Sequence, residues 1–226
     1  MNKSKKLFSI IAFFTLTVII VSAQDKLINA SHAEVNGYLG EKLDASYKNR
    51  ILAQDIERLI QPFKQRDEHS CWQSEFWGKW FTSAVLAYKY NPTPELAVKL
   101  KDAVDGLIKT QTSDGYIGNY APESRLQAWD IWGRKYCMLG LIAYYDLTND
   151  QDALNAAAKE ADFLIKELSE KNLDIVELGN HRGMAASSVL EPVCQLYSRT
   201  GKKVYLDFAE DIVQQWETPQ GPQLIS

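Results

Sequence analysis

The chain is predicted to be all-α, built as a series of repeated helical hairpins, and three observations predict this. From Tyr47 onward apolar residues recur every three or four positions, the period that gathers them on one face of a helix. No stretch alternates apolar and polar residues for long enough to make a convincing strand. The chain also matches itself. Val85-Leu86-Ala87-Tyr88 with Asp105-Gly106-Leu107-Ile108-Lys109 returns 57 positions later as Ile142-Ala143-Tyr144-Tyr145 with Asp162-Phe163-Leu164-Ile165-Lys166. A third copy lies 52 positions on, where Tyr145, Thr148, Leu154 and Ala157 fall on Tyr197, Thr200, Leu206 and Ala209. Repeats of this length make a stacked solenoid or a closed ring of hairpins, because one hairpin cannot bury both its faces.

Composition narrows the class without naming a function. With 46% hydrophobic and 24% charged residues, 12 Gly, 7 Pro and 3 Cys, the chain is neither collagenous, low-complexity nor disulfide-stapled, and its six Trp supply apolar bulk for a core. The formal charge is −4 and no run of Lys or Arg tracks a phosphate backbone, so no nucleic-acid partner is expected.

The first element is an address label. Lys3, Lys5 and Lys6 precede an apolar run from Leu7 to Val21, and Val21-Ser22-Ala23-Gln24 offers a cut after Ala23. The run, broken by Ser9, Thr15 and Thr17, falls short of the ~20 residues that cross a bilayer. Residues 1–23 are therefore read as a signal peptide, with no membrane association after cleavage. No Cys follows the cut to carry a lipid. Losing three Lys moves the charge from −4 to −7, giving an acidic protein that is periplasmic or extracellular. Residues 24–46 form an N-terminal segment, and 47–226 the repeat domain. The three cysteines, Cys71, Cys137 and Cys194, lack metal-type spacing and are read as core thiols, a disulfide between two of them being the alternative.

Leu43 to Phe63 supplies one or two helices ahead of the repeats. The hairpins then pair residues 72–90 with 94–111, 128–147 with 151–168, and 184–199 with 203–217. Their turns are Asn91-Pro92-Thr93-Pro94, Thr148-Asn149-Asp150 and Thr200-Gly201-Lys202, which combine helix breakers with helix-starting residues. These turns are short, whereas the connections between hairpins, Thr112–Gln127 and Ser169–Gly183, run to about fifteen residues. Each hairpin returns the chain to the same end, so both long connections share one rim. Long loops on a rigid helical scaffold are where binding groups are usually placed.

The first long loop, Gln111-Thr112-Ser113-Asp114-Gly115-Tyr116-Ile117-Gly118-Asn119-Tyr120, sets two Tyr beside an acid, a mixture that stacks on a sugar ring and bonds its hydroxyls, or equally a loop packed on its own tyrosines. The first helices open at the same rim with Trp72 and Trp77, with Trp129 and Trp132, and with His181. Each Trp has a plain core reading at helical spacing, but their collection at one rim favours binding. Glycoside chemistry needs two carboxyl groups about 5 to 10 Å apart, and Glu75, Asp114, Asp130, Glu177 and Glu191 are the candidates. Of the histidines, His69 and His181 are the candidates for proton transfer, with a surface or structural role as the alternative reading, and His181 is the one at the rim. No phosphate-cradling loop, nucleophile elbow or metal-binding His pair occurs.

Several of these motifs occur together and in order. Gly78-Lys79-Trp80, Gln111 to Gly118, Trp129-Asp130-Ile131-Trp132 leading to Gly140-Leu141-Ile142-Ala143-Tyr144-Tyr145, and Leu196 to Gly201 with Tyr205-Leu206-Asp207-Phe208-Ala209 resemble the N-terminal part of the glycoside hydrolase family 127 catalytic domain, over roughly residues 50 to 225. That family includes the β-L-arabinofuranosidases. The resemblance implies an (α/α)6 toroid of six hairpins, of which about three and a half are present. It also implies retaining hydrolysis of plant-type glycans outside the cytoplasm, with the rest of the same catalytic domain as a partner. In the family a cysteine thiolate at a zinc ion is the nucleophile and a Glu the acid. Those residues lie beyond residue 226, so no catalytic residue and no metal ligand is assigned here, and none of the three cysteines matches them. Where arabinofuranosidases carry a substrate-facing His in the second repeat this chain has Tyr136, and another His in the third is replaced near Ala186. The expected substrate-binding residues are Asp114, Tyr116, Trp77, Trp129, Tyr136 and His181. Two other readings are an unsaturated glucuronyl hydrolase or sugar epimerase on the same ring, and a non-catalytic repeat that binds glycan or peptide along its concave face.

Overall fold

The computed structural model describes residues 34–225. The leader expected at residues 1–23 lies outside the described residues, and so does the stretch that follows it to residue 33.

Helix α1 (Gly37–Ser46) runs directly into a π-helical segment, Tyr47–Leu52. It starts six residues ahead of the expected Leu43, and it buries no side chain, so an apolar stripe could not reveal it. Helix α2 (Ile56–Gln65) does bury a stripe, Leu59, Ile60 and Phe63. The Asp55 carboxylate caps it by accepting from the Arg58 N–H at 3.1 Å, and Arg66 in the left-handed region ends it.

The first hairpin is α3 (Glu75–Tyr90) and α4 (Pro94–Ile108), the second α5 (Asp130–Thr148) and α6 (Gln151–Lys171), all within three residues of the predicted bounds. The third departs from expectation. Its first helix is split into α7 (Met184–Ser187) and α8 (Leu190–Thr200), followed by α9 (Lys203–Trp216). Pro192 explains the break: it has no N–H for the Ser188 carbonyl, and its ring crowds that carbonyl, so the chain steps at Ser188–Val189 before α8 begins.

Helices α3, α5 and α8 lie side by side in one layer, and α4, α6 and α9 back them, with α2 beside α4. This is an incomplete α/α toroid. Among the described residues there is no strand, only an isolated parallel bridge between Glu68 and Tyr120. Close approach of α3 and α5 depends on glycine. A Cβ on Gly78 would stand 2.1 Å from the Tyr136 carbonyl oxygen, and one on Gly140 would stand 2.5 Å from the Trp77 ring. Trp77 fills the space so created, stacked on Phe81 at 4.7 Å between ring centroids. The expectation of three core thiols is corrected: Cys137 is buried, but Cys71 and Cys194 are exposed, and all three are free. No helix among the described residues is long and apolar enough to cross a membrane.

Candidate functional site: an aromatic row over a buried ionic cluster

Both long connections meet at the end of the layer formed by α3, α5 and α7–α8. The first leaves α4 through a turn closed by Thr112 N–H to the Tyr116 carbonyl (3.1 Å) and Gly115 N–H to the Thr112 carbonyl (3.0 Å). Gln111 pins this turn to α6, donating from Nε2 to the Ala156 carbonyl at 2.9 Å. Asp114 stays on the outer side of the turn. Burial would lift its carboxyl, but the Thr112 hydroxyl and Arg125, 3.6 Å away, outweigh that and hold it below the usual range.

The chain then dives inward. Tyr116 is 0% exposed and donates its hydroxyl to Asp130 at 2.6 Å, while its oxygen accepts the Tyr120 N–H at 3.1 Å. The Tyr120 hydroxyl in turn accepts the Trp129 N–H (3.2 Å) and donates to the Cys71 carbonyl (2.9 Å). Asp130 opens α5 and also accepts the Leu126 N–H at 2.9 Å. One turn on, Arg134 is wholly buried, 3.5 Å from Asp130, bonded through Nε to Glu160 and through Nη1 to Glu167 at 2.7 Å. Glu160 completes the cluster by accepting the Ile117 N–H from the loop. Burial pushes Glu160 up to about 7 against the pull of Arg134, and raises Tyr116 well above its ordinary value, so Tyr116 remains a donor.

Above this cluster lies a half-exposed aromatic row. Trp72 meets Trp129 edge-on at 6.1 Å, Trp129 meets Trp132 at 5.9 Å and His181 at 5.3 Å, and Trp132 meets Tyr136 at 5.0 Å. Charged groups border it. The Glu75 carboxylate accepts from the Trp132 indole N–H and pairs with Lys79 at 2.9 Å. Lys79 lies 4.9 Å and Lys135 5.1 Å from the Tyr136 ring centroid, and Lys135 pairs with Glu191 at 3.6 Å. The turns that present the row are strained. Leu126 and Ala128 have φ of 69° and 46°, and His181 and Arg182 58° and 55°, at about 1–2 kcal/mol each for side chains in the left-handed region.

Of the expected site residues, Trp129, Tyr136 and His181 are brought together in this row. Trp77 and Tyr116 are not part of it: both are 0% exposed, so neither can touch a ligand here, and the expectation of direct contact is corrected for both. Trp77 instead donates its indole N–H to the Ala103 carbonyl at 3.2 Å, tying α3 to α4. Asp114 is exposed, but its partners Thr112 and Arg125 stand outside the row. Of the candidate acids, Glu75 borders the row, Glu191 pairs beside it, Asp130 is locked in the cluster, and Glu177 is exposed in the second loop. His69 bonds Ser124 at 2.7 Å.

Trp72 and Trp132, placed at the rim by the sequence but not assigned as contacts, and Lys79 and Lys135, which it does not single out, also belong to the row, and a signal for this exists in the sequence. Trp72, Trp129 and His181 are one repeat position, separated by the same 57 and 52 residues as the copies themselves, and they touch. Glu75 and Trp132 are likewise equivalent positions in hydrogen-bond contact, and Lys79 stands over its equivalent, Tyr136.

As to a metal, no group of three or more His, Cys, Asp or Glu side chains among the described residues is placed to hold one. The row and the cluster beneath it do not bring together the cysteine and carboxylate donors of the zinc site that the family implies.

Residues 22–219 match the family described as beta-L-arabinofuranosidase, GH127 catalytic domain. A curated relative, the non-reducing end beta-L-arabinofuranosidase of Bifidobacterium longum subsp. longum, is 27% identical over 147 residues, covering 60% of this chain and 22% of that protein. Among solved structures, a GH127 beta-arabinofuranosidase superposes with a TM-score of 0.61 at 18% identity, over 84% of this chain and 34% of its own. A GH127 beta-L-arabinofuranosidase from Geobacillus stearothermophilus T6 gives 0.54 at 18%, over 80% and 30%. The chain thus spans about a fifth of the curated relative's length and about a third or less of these structures. On the extent of the family match, the chain belongs to the GH127 beta-L-arabinofuranosidase catalytic-domain family.

Proposed function

We propose that this chain is the N-terminal part of the catalytic toroid of an exported glycoside hydrolase, and that Trp72, Trp129, Trp132, Tyr136 and His181 form its sugar platform. The observation that carries this reading is the row itself: five aromatic or imidazole rings in edge contact, partly open to solvent, bordered by a carboxylate and two ammonium groups. Rings of this kind cover the C–H face of a furanose or pyranose, while Glu75 and Lys79 are placed to bond its hydroxyls. Family membership and the named activity of the Bifidobacterium relative support a plant-type, arabinofuranoside-related glycan as the substrate. Residues 3–23 support export by the secretory route. The nucleophile, the acid and any zinc donors belong, in this reading, to the rest of the same domain.

The test is a screen of aryl glycosides, arabinofuranosides included, with the intact secreted protein, alongside titration of its tryptophan fluorescence with methyl β-L-arabinofuranoside. Turnover of an arabinofuranoside and at least tenfold weaker binding by Trp129→Ala are expected, a loss of roughly 1.4 kcal/mol or more. Unchanged binding in Trp129→Ala would remove the platform, and robust hydrolysis by this chain alone would remove the assignment of catalysis to a further part.

A further inference from the structure

The buried cluster beneath the row is charged where the fold has no need of charge. Arg134 and Glu160 occupy one pair of repeat positions, on the first and second helix of the second hairpin. The equivalent pair in the first hairpin is Trp77 and Ala103, joined by the indole N–H to a backbone carbonyl, and in the third it is Ala186 and Ile212. Two of the three hairpins therefore close around apolar side chains at this point. Burying an Arg among carboxylates is at best neutral for stability compared with well-packed apolar groups, so the second hairpin's departure calls for another cause.

The cause is visible in what the cluster holds. Glu160 takes the Ile117 N–H, and Asp130 takes the Tyr116 hydroxyl and the Leu126 N–H. Through Tyr116 the bonds pass to the Tyr120 N–H, and through the Tyr120 hydroxyl to the Trp129 N–H and the Cys71 carbonyl. These bonds reach the backbone on both sides of the Trp72–Trp129 contact, and they fasten the loop whose Leu126 and Ala128 are forced to positive φ just before Trp129. We infer that Arg134, Glu160, Asp130 and Tyr116 are positioning residues: they fix the strained Leu126–Trp129 turn, and thereby set the geometry of the aromatic row. The inference rests on the sugar-platform reading for its functional meaning, but not for its geometry.

The decisive variant is Tyr116→Phe, which deletes the bridging hydroxyl and little else. Its matched control is Tyr205→Phe, which removes another buried tyrosine hydroxyl bonded to a carboxylate, Asp162 at 2.9 Å, between α9 and α6. Two readouts are taken on the full chain: the near-ultraviolet circular dichroism of the coupled indoles, and affinity for methyl β-L-arabinofuranoside. Tyr116→Phe is expected to change the indole spectrum and weaken binding about tenfold, whereas Tyr205→Phe lowers the melting temperature comparably and leaves spectrum and affinity as they were. A variant without the central ion pair, Arg134→Met with Glu160→Leu, is expected to stay folded by far-ultraviolet dichroism with an altered indole spectrum. If Tyr116→Phe leaves the indole spectrum as in the parent, or if Tyr205→Phe changes it equally, the positioning role is wrong. Should Trp129→Ala bind the probe as the parent does, the platform reading fails instead, and the spectra still decide the inference.

Discussion

The first and second hairpins solve one packing problem in two ways. In the first, Trp77 crosses from α3 to α4 and spends its single polar atom on the Ala103 carbonyl, with Gly140 making room for its ring. In the second, Arg134 crosses from α5 to α6 at the equivalent place and meets Glu160, with Asp130 and Glu167 on either side. Trp77 joins two helices, whereas the Arg134 cluster joins two helices and a loop. Charge appears in the core of the hairpin whose loop must present its backbone N–H groups inward, because an unpaired N–H there would carry the full cost of desolvation.

This contrast is broken most severely at Arg134 itself. Replacing it alone with Met leaves three carboxyl groups in a dry interior without their cation, which costs about 3–5 kcal/mol. Urea denaturation should show the double change with Glu160→Leu recovering only part of that loss, because Asp130 and Glu167 still lack a cation and the Ile117 N–H loses its acceptor. Equal instability of the single and double variants would mean that the cluster is as necessary to the hairpin as Trp77 is.

A second effect follows from the proton balance of the cluster. Glu160 faces Arg134, Asp130 and Cys137 from α5, the Ile117 N–H from the loop, and Arg66 from the end of α2; burial dominates and raises it to about 7 from an ordinary 4.5. The folded state thus holds this proton more tightly than the unfolded chain. Its contribution to stability is complete below about pH 4.5 and is lost as pH rises through 7, on the order of 3 kcal/mol in all. Glu160→Gln should flatten that slope when melting is followed from pH 5 to pH 8. Parallel curves for parent and variant would show that Glu160 does not titrate in this range.

How much of this was legible in the sequence differs between fold and site. Helix period, turn residues and the 57- and 52-residue offsets fix the hairpins to within three residues wherever a helix buries a stripe and carries no proline. They miss the start of α1, which buries nothing, and the break before Pro192, which is a matter of backbone donors rather than periodicity. At the rim, an aromatic residue in a loop looks the same whether it enters the core, as Tyr116 does, or stays at the surface, as Trp72 does at 48% exposure. Tyr116 turns inward directly after Gly115, at φ 114°, while the left-handed residues at 126, 128, 181 and 182, beside Trp129 and at His181, include Leu, Ala and Arg, types that announce no such turn. Arg134 and Glu160 carry no local signal either, since a charge at a core position is legible only against its apolar equivalents in the other copies.

The smallest expected effect returns to the hairpins at their turns. Thr93 caps α4 by accepting the Leu96 N–H at 3.2 Å, and Asp150 caps α6 by accepting from Asp152 and Ala153 at 2.9 and 3.1 Å. Lys202, at the same place before α9, provides no side-chain cap, and its ammonium lies 6.0 Å from the Tyr205 ring centroid. Lys202→Asp would supply the missing acceptor and place a negative charge at the positive end of the helix, worth about 1 kcal/mol, against which the lost cation–ring contact weighs about 0.5 kcal/mol at an exposed site. A small net gain in the urea midpoint is therefore expected, alongside a loss of about 1 kcal/mol for Thr93→Ala or Asp150→Ala. A fall in the midpoint for Lys202→Asp would mean that the third hairpin's turn is held by its αL glycine, Gly201, and by the ring contact, and not limited by its missing cap.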